Sequence, residues 1–169
     1  MGKIKIFFFI LLIFFSKNSY SAEKSEGFDG KGGREDLSFL NVKTSNFKKG
    51  NDSLNRGLKY KKKGKIEKAN KLFEKALDYF VLANKEVPNN IEILKLLGFG
   101  YFQVGDTVMS EIYYNEGLSI EPKNNLLNQR LGELYFHTKR FELAKQKLDF
   151  LKTCNCKEYF ELKNILNKN

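Results

Sequence analysis

Apolar residues are arranged along this chain in three ways, and each predicts a different kind of segment. Ile6 to Phe15 is an unbroken apolar run of ten residues. From Ala22 to Phe47 apolar positions are sparse, and Gly27, Gly30, Gly32 and Gly33 crowd together. Such a stretch cannot bury enough surface to offset the entropy of ordering it, so it reads as a flexible leader, with the short patch Leu37, Phe39 and Leu40 inside it. Beyond it, apolar residues return at helical spacing. The series Ala69, Leu72, Phe73, Ala76, Leu77, Phe80 and Val81 lies on one face of a helix.

The helical part repeats itself. Leu97-Gly98-x-x-Tyr101 recurs as Leu131-Gly132-x-x-Tyr135, an offset of 34 residues. Ser110, Tyr114 and Gly117 meet Ala144, Leu148 and Leu151 at the same offset. An earlier copy stands 41 residues upstream, with Gly57, Tyr60, Gly64, Ala69, Phe73 and Ala76 before Gly98, Tyr101, Gly105, Ser110, Tyr114 and Gly117. Pro88 nevertheless precedes Pro122 by 34. The seven extra residues therefore fall between Ala76 and Pro88. Seven residues make about two helical turns, so they lengthen the first repeat's second helix without turning its buried face away.

Fixed periods of this size mark solenoids of stacked helical hairpins. Gly57, Gly98 and Gly132, with Ala69, Ala76 and Ala144, let paired helices approach closely, and Phe73, Tyr101 and Tyr114 fill the angle between hairpins. Gly64 and Gly105 suit the left-handed residue of a tight helix–helix turn, while Pro88 and Pro122 end the second helices. In the third copy Lys139-Arg140 replaces the turn glycine, which predicts a looser or shifted turn, and Cys156 stands where Pro122 sits one repeat earlier. Tyr159, Leu162, Ile165 and Leu166 then mark a closing helix over the last apolar face.

With Leu94 where Trp is usual, then Leu97-Gly98, Tyr101, the Gly105-Asp106 turn and Pro122, the segment 91–124 resembles the tetratricopeptide repeat (TPR) family. The resemblance covers about residues 48–169 and implies an all-α, right-handed solenoid of three helical hairpins plus a C-terminal capping helix. The expected division is a signal peptide over 1–21, the leader over 22–47, repeats at about 50–90, 91–124 and 125–156, and the cap over 157–167. The tail from Cys154 to Tyr159 is similar to the ending of small TPR proteins of alphaproteobacteria, a likeness that brings no activity with it.

The resemblance also implies a partner-binding groove. In that family first-helix positions 2, 5, 9, 12 and 13 line the inner wall, counting Gly57, Gly98 and Gly132 as position 8. Here they are Asn51, Leu54, Leu58, Lys61 and Lys62; Glu92, Lys95, Phe99, Phe102 and Gln103; and Leu126, Gln129, Glu133, Phe136 and His137. Phe99 stands where the family usually has a polar residue. Phe99, Phe102, Phe136, Leu54 and Leu58, edged by Lys61, Lys62 and Lys95, read as an apolar groove for an extended or helical peptide of acidic character. The leader or the cap covering the same patch is the competing reading. The chaperone-tail clamp of some TPR proteins needs Lys and Asn where Leu54 and Leu58 stand, so that ligand does not carry over.

The N-terminus and the charge narrow the setting. Lys3 and Lys5 precede the apolar run, and Ser19-Tyr20-Ser21 fits a small-x-small cleavage site, which predicts export to the bacterial periplasm or cell surface with the mature chain starting at Ala22. Ten residues reach about 15 Å as a helix, half a bilayer core, so membrane contact is expected only through this segment were it retained. Cleavage removes Lys3, Lys5 and Lys17 and lowers the net charge from +10 to +7. Nucleic acid is not an expected partner outside the cell. Anionic lipid, polysaccharide or acidic protein suits that charge, and so does a solvated surface with no role.

No catalytic constellation appears. The single His137 has no Cys or Asp at a recognisable spacing, no phosphate loop lies between a strand and a helix, and no cofactor or metal site is implied. Cys154 and Cys156 are the only thiols. An intrachain disulfide in a non-helical turn, pairing between chains, and redox or metal chemistry all remain open for them. The sequence thus points to a protein-binding scaffold and not an enzyme, with a thiol-active accessory factor and a basic polymer- or surface-binding protein as alternatives.

Overall fold

The computed structural model describes residues 44–167, so the apolar run, the cleavage site and the leader up to residue 43 lie outside the described residues. The described chain contains seven helices and no strand: α1 (Ser45–Lys62), α2 (Ile66–Glu86), α3 (Ile91–Val104), α4 (Thr107–Ile120), α5 (Asn125–His137), α6 (Phe141–Leu151) and α7 (Lys157–Leu166). Helices pair as α1/α2, α3/α4 and α5/α6, each hairpin packs on the next, and α7 closes the stack against α5 and α6.

Helix ends follow the local chemistry. The side chains of Thr44, Asn90, Asp106 and Asn124 accept backbone N–H groups of α1, α3, α4 and α5, which satisfies donors that a helix start leaves open. The two proline-containing connections therefore lead straight into capped helices. The three intra-hairpin turns share one hydrogen-bond pattern. Gly64, Gly105 and Lys139 each donate to the carbonyl three residues back, and the next residue donates to the carbonyl five back. All three are left-handed, at φ 70°, 87° and 60°. The expected loosening at Lys139-Arg140 is therefore corrected: lysine takes the glycine conformation, at a cost of about 1–2 kcal/mol, and the turn geometry is kept.

The seven-residue insertion appears as a 21-residue α2 against a 14-residue α4. It has a consequence upstream. A longer α2 leaves apolar surface that α3's counterpart must cover, and α1 runs for 18 residues where α3 has 14. Ser45, Asn46 and Phe47, placed in the leader by the sequence pattern, belong to α1: Phe47 is buried with its ring 6.2 Å from Phe80, and Asn46 bonds Glu86 at 2.7 Å.

Close approach at three glycines sets the hairpins. A methyl group at Gly57 would overlap the Phe73 ring at 2.5 Å, and one at Gly98 would overlap the Tyr114 ring. The third hairpin has Leu148 at the equivalent place, and there Leu162 of α7 fills the space at Gly132 instead. The closing helix thus completes the third hairpin's packing as well as covering it.

Candidate functional site

Consecutive antiparallel hairpins place α1, α3 and α5 side by side on one wall, and side-chain contacts join them there. Lys61 of α1 donates to Oε1 of Gln103 on α3 at 2.8 Å. Phe102 of α3 meets the His137 ring of α5 at 5.3 Å. The guanidinium of Arg130 on α5 lies over the Phe99 ring of α3, 5.4 Å from its centroid, and pairs with Glu133 at 2.9 Å. These contacts tie the three first helices into one continuous surface.

Its electrostatics are largely satisfied from within. Burial pulls the Lys61 ammonium below its ordinary value, and the nearby Glu133 carboxylate pulls the other way. Lys95 pairs with Glu92 one helical turn away on α3. Phe136 is half-buried against the second core cluster, 6.0 Å from His137 and edge-on to Phe141 at 5.7 Å. His137 itself is exposed at the end of α5, and Lys62 is exposed in the last turn of α1.

Two expected groove residues are not wall surface. Leu54 is 4 % exposed and belongs to the first hydrophobic core, which residues of α1, α2 and α3 build together. Gln129 is 2 % exposed and donates to Glu161 of α7 at 2.9 Å, so the closing helix covers it. Leu58 is half-buried against the first core, Asn51 bonds back to the Phe47 carbonyl, and Leu126 is half-buried at the start of α5. What remains accessible is centred on Phe99, Phe102, Gln103, Lys61 and Glu133, flanked by Phe136 and Lys95.

Arg130 was missed by the positional reading, because it lies outside the family's groove positions. The signal for it was local: Arg130 and Glu133 are opposite charges three residues apart on a helix, and that spacing makes them neighbours. Chemically the wall offers aromatic faces and oriented donors. Among the described residues no group of three His, Cys, Asp or Glu side chains is placed to hold a metal ion. Cys154 and Cys156 form a disulfide at the junction of α6 and α7.

A stack of helical hairpins with a joined inner wall of first helices defines a helical-repeat module. Comparison with solved structures makes the class specific. The first TPR of Spaghetti (RPAP3), bound to the HSP90 peptide SRMEEVD, superposes with a TM-score of 0.51 and 22 % identity, covering 72 % of this chain and 93 % of that one. The Sgt2 TPR domain from Aspergillus fumigatus superposes with a TM-score of 0.53 and 17 % identity, covering 70 % and 78 %. The chain has the tetratricopeptide fold. No protein-family model and no curated protein matches the sequence.

Proposed function

We propose that this protein is a binding scaffold, not an enzyme, whose inner wall of α1, α3 and α5 holds an extended or helical segment of a partner protein. The observation that carries the reading is Phe99. It sits half-buried on the middle helix, with Phe102 one turn further and basic groups Lys61, Lys95 and Arg130 around it. Half-exposed aromatic faces beside oriented cations are the usual anchors of a recognised peptide. The RPAP3 module that shares the fold was solved with an acidic peptide, which supports the binding class. The peptide itself is not carried over, since Leu54 lies in the core where a chaperone-tail clamp needs a polar side chain. We place the binding outside the cytoplasm, in the bacterial envelope, on the strength of the N-terminal pattern.

The test is affinity capture from cells of the native organism with wild type, Phe99→Ala and the outer-surface variant Lys59→Glu. One partner retained by wild type and Lys59→Glu, and reduced at least tenfold by Phe99→Ala, is the expected result. Undiminished capture by Phe99→Ala removes the inner wall as the site.

A further inference from the structure

Residues 44–65, which form α1 and its turn, hold eight Lys and Arg against the single carboxylate Asp52, whereas residues 66–167 hold fourteen of each sign. The whole net charge of the helical domain therefore lies on its first helix and turn. The cations also share a face. Lys48, Lys49, Arg56, Lys59, Lys62 and Lys63 are all exposed and recur at spacings that stack on one side of a helix, over about 22 Å. Lys49 lies over the Tyr79 ring at 5.8 Å. Among the described residues none of these six makes an ion pair. At the turn end Lys65 adds a further cation next to Ile66, an apolar side chain left 46 % exposed.

We propose that this outer face of α1 and the adjoining turn dock on an anionic lipid surface. A phosphate headgroup plane complements many unpaired cations at once, needs no preformed pocket, and accepts an apolar tip such as Ile66 at its interface. The alternative occupant, an acidic polypeptide, is served by concave sites with oriented partners. A depression on this face is lined by Arg56, Lys59, Tyr60 and Lys63, three cations and one ring with no carboxylate among them. Among the described residues no helix is long and apolar enough to cross a membrane. Lys61, on the other side of α1, bonds into the inner wall, and Lys62, counted among the groove positions, lies on the border of the two faces.

The chain has no tryptophan, which allows single-site reporters. Ile66→Trp reports on the docking face and Lys123→Trp on the connection between α4 and α5, at the opposite edge. Full-length protein is mixed at low salt with brominated phosphatidylglycerol or phosphatidylcholine vesicles. The Ile66→Trp emission is quenched on phosphatidylglycerol and the Lys123→Trp emission is not. The triple variant Lys62→Glu, Lys63→Glu, Lys65→Glu lowers the phosphatidylglycerol-to-phosphatidylcholine partition ratio about 100-fold. That ratio cancels the lipid affinity of the apolar run Ile6 to Phe15. Lys→Arg at the same three positions keeps the ratio, which separates charge from folding. A ratio that moves less than threefold in the Glu variant overturns the proposal, as does equal quenching of both reporters. Binding of polyglutamate with no quenching on phosphatidylglycerol assigns the face to an acidic polypeptide and also overturns it.

Discussion

The inner wall and the outer face of α1 use their charges in opposite ways. On the wall Lys61 is bonded to Gln103, Lys95 is paired with Glu92, and Arg130 is paired with Glu133 while lying over Phe99. These groups are partly buried; Lys61 and Arg130 also meet α3, at Gln103 and Phe99, while the Lys95 pair lies within α3. On the outer face the cations are exposed and make no ion pair among the described residues. A surface of the first kind discriminates, since a partner must match fixed donors and aromatic faces. One of the second kind attracts anything anionic within about a Debye length, some 8–10 Å at ordinary salt. One helix, α1, contributes to both, so the fold can present a specific and a general surface together.

The sharpest way to break this contrast is to separate the helices that build the wall. A side chain at Gly98 has no room, because Tyr114 fills the space. Gly98→Leu forces α3 off α4 and costs about 3 kcal/mol or more, read as a loss of cooperative thermal unfolding near the wild-type midpoint. Charge reversals on the outer face stay within about 0.5 kcal/mol of wild type. Tyr114→Ala in the Gly98→Leu background restores space, so the double variant is less destabilised than the sum of the two singles. Additive losses would show that Tyr114 is not what Gly98 makes room for.

A smaller effect belongs to the far end of the wall. The Cys154–Cys156 bridge ties the end of α6 to the start of α7, and α7 carries both Leu162, which fills the space at Gly132, and Glu161, which accepts from Gln129. The closed loop is short, so Cys154→Ser with Cys156→Ser costs about 1–2 kcal/mol in the chain-entropy account. Hydrogen exchange should quicken in α7 and in α5 around Gln129, and stay unchanged in α1. Faster exchange in α1 would mean that the two surfaces are not mechanically separate.

Much of this architecture is legible in the residues. The paired offsets fix the hairpins, and the position of the extra seven residues fixes which helix is longer, because small residues and helix-ending prolines must recur wherever packing recurs. What escapes the pattern is decided by partners distant in sequence. Phe47 joins α1 because Phe80, about four turns into a lengthened helix, needs cover. Lys139 adopts a glycine conformation because the hairpin geometry outweighs its local preference. Leu54 and Gln129 occupy groove positions by count, yet Leu54 lies in the first core and Gln129 is covered by α7. Net charge is visible at once, but its confinement to one face of one helix needs the burial of every residue around it.

The subtlest prediction concerns Lys61, which shares α1 with the outer cations and bonds into the inner wall. Its ammonium is held below the ordinary 10.5 by burial, with Glu133 opposing that shift. At pH values under the lowered pKa, folded and unfolded chains both carry the proton, and this group makes stability independent of pH. Between the lowered pKa and 10.5 the unfolded chain keeps a proton that the folded chain has released, so stability rises with pH. Wild type should therefore gain on Lys61→Met as pH climbs through that window, read as the difference in denaturant midpoint between the two proteins. Glu133→Gln removes the opposing charge, lowers the Lys61 pKa further and starts the rise at lower pH. A difference that stays flat, or a window that does not move with Glu133→Gln, would place Lys61 with the solvated cations of the outer face and leave the wall without its link to α1.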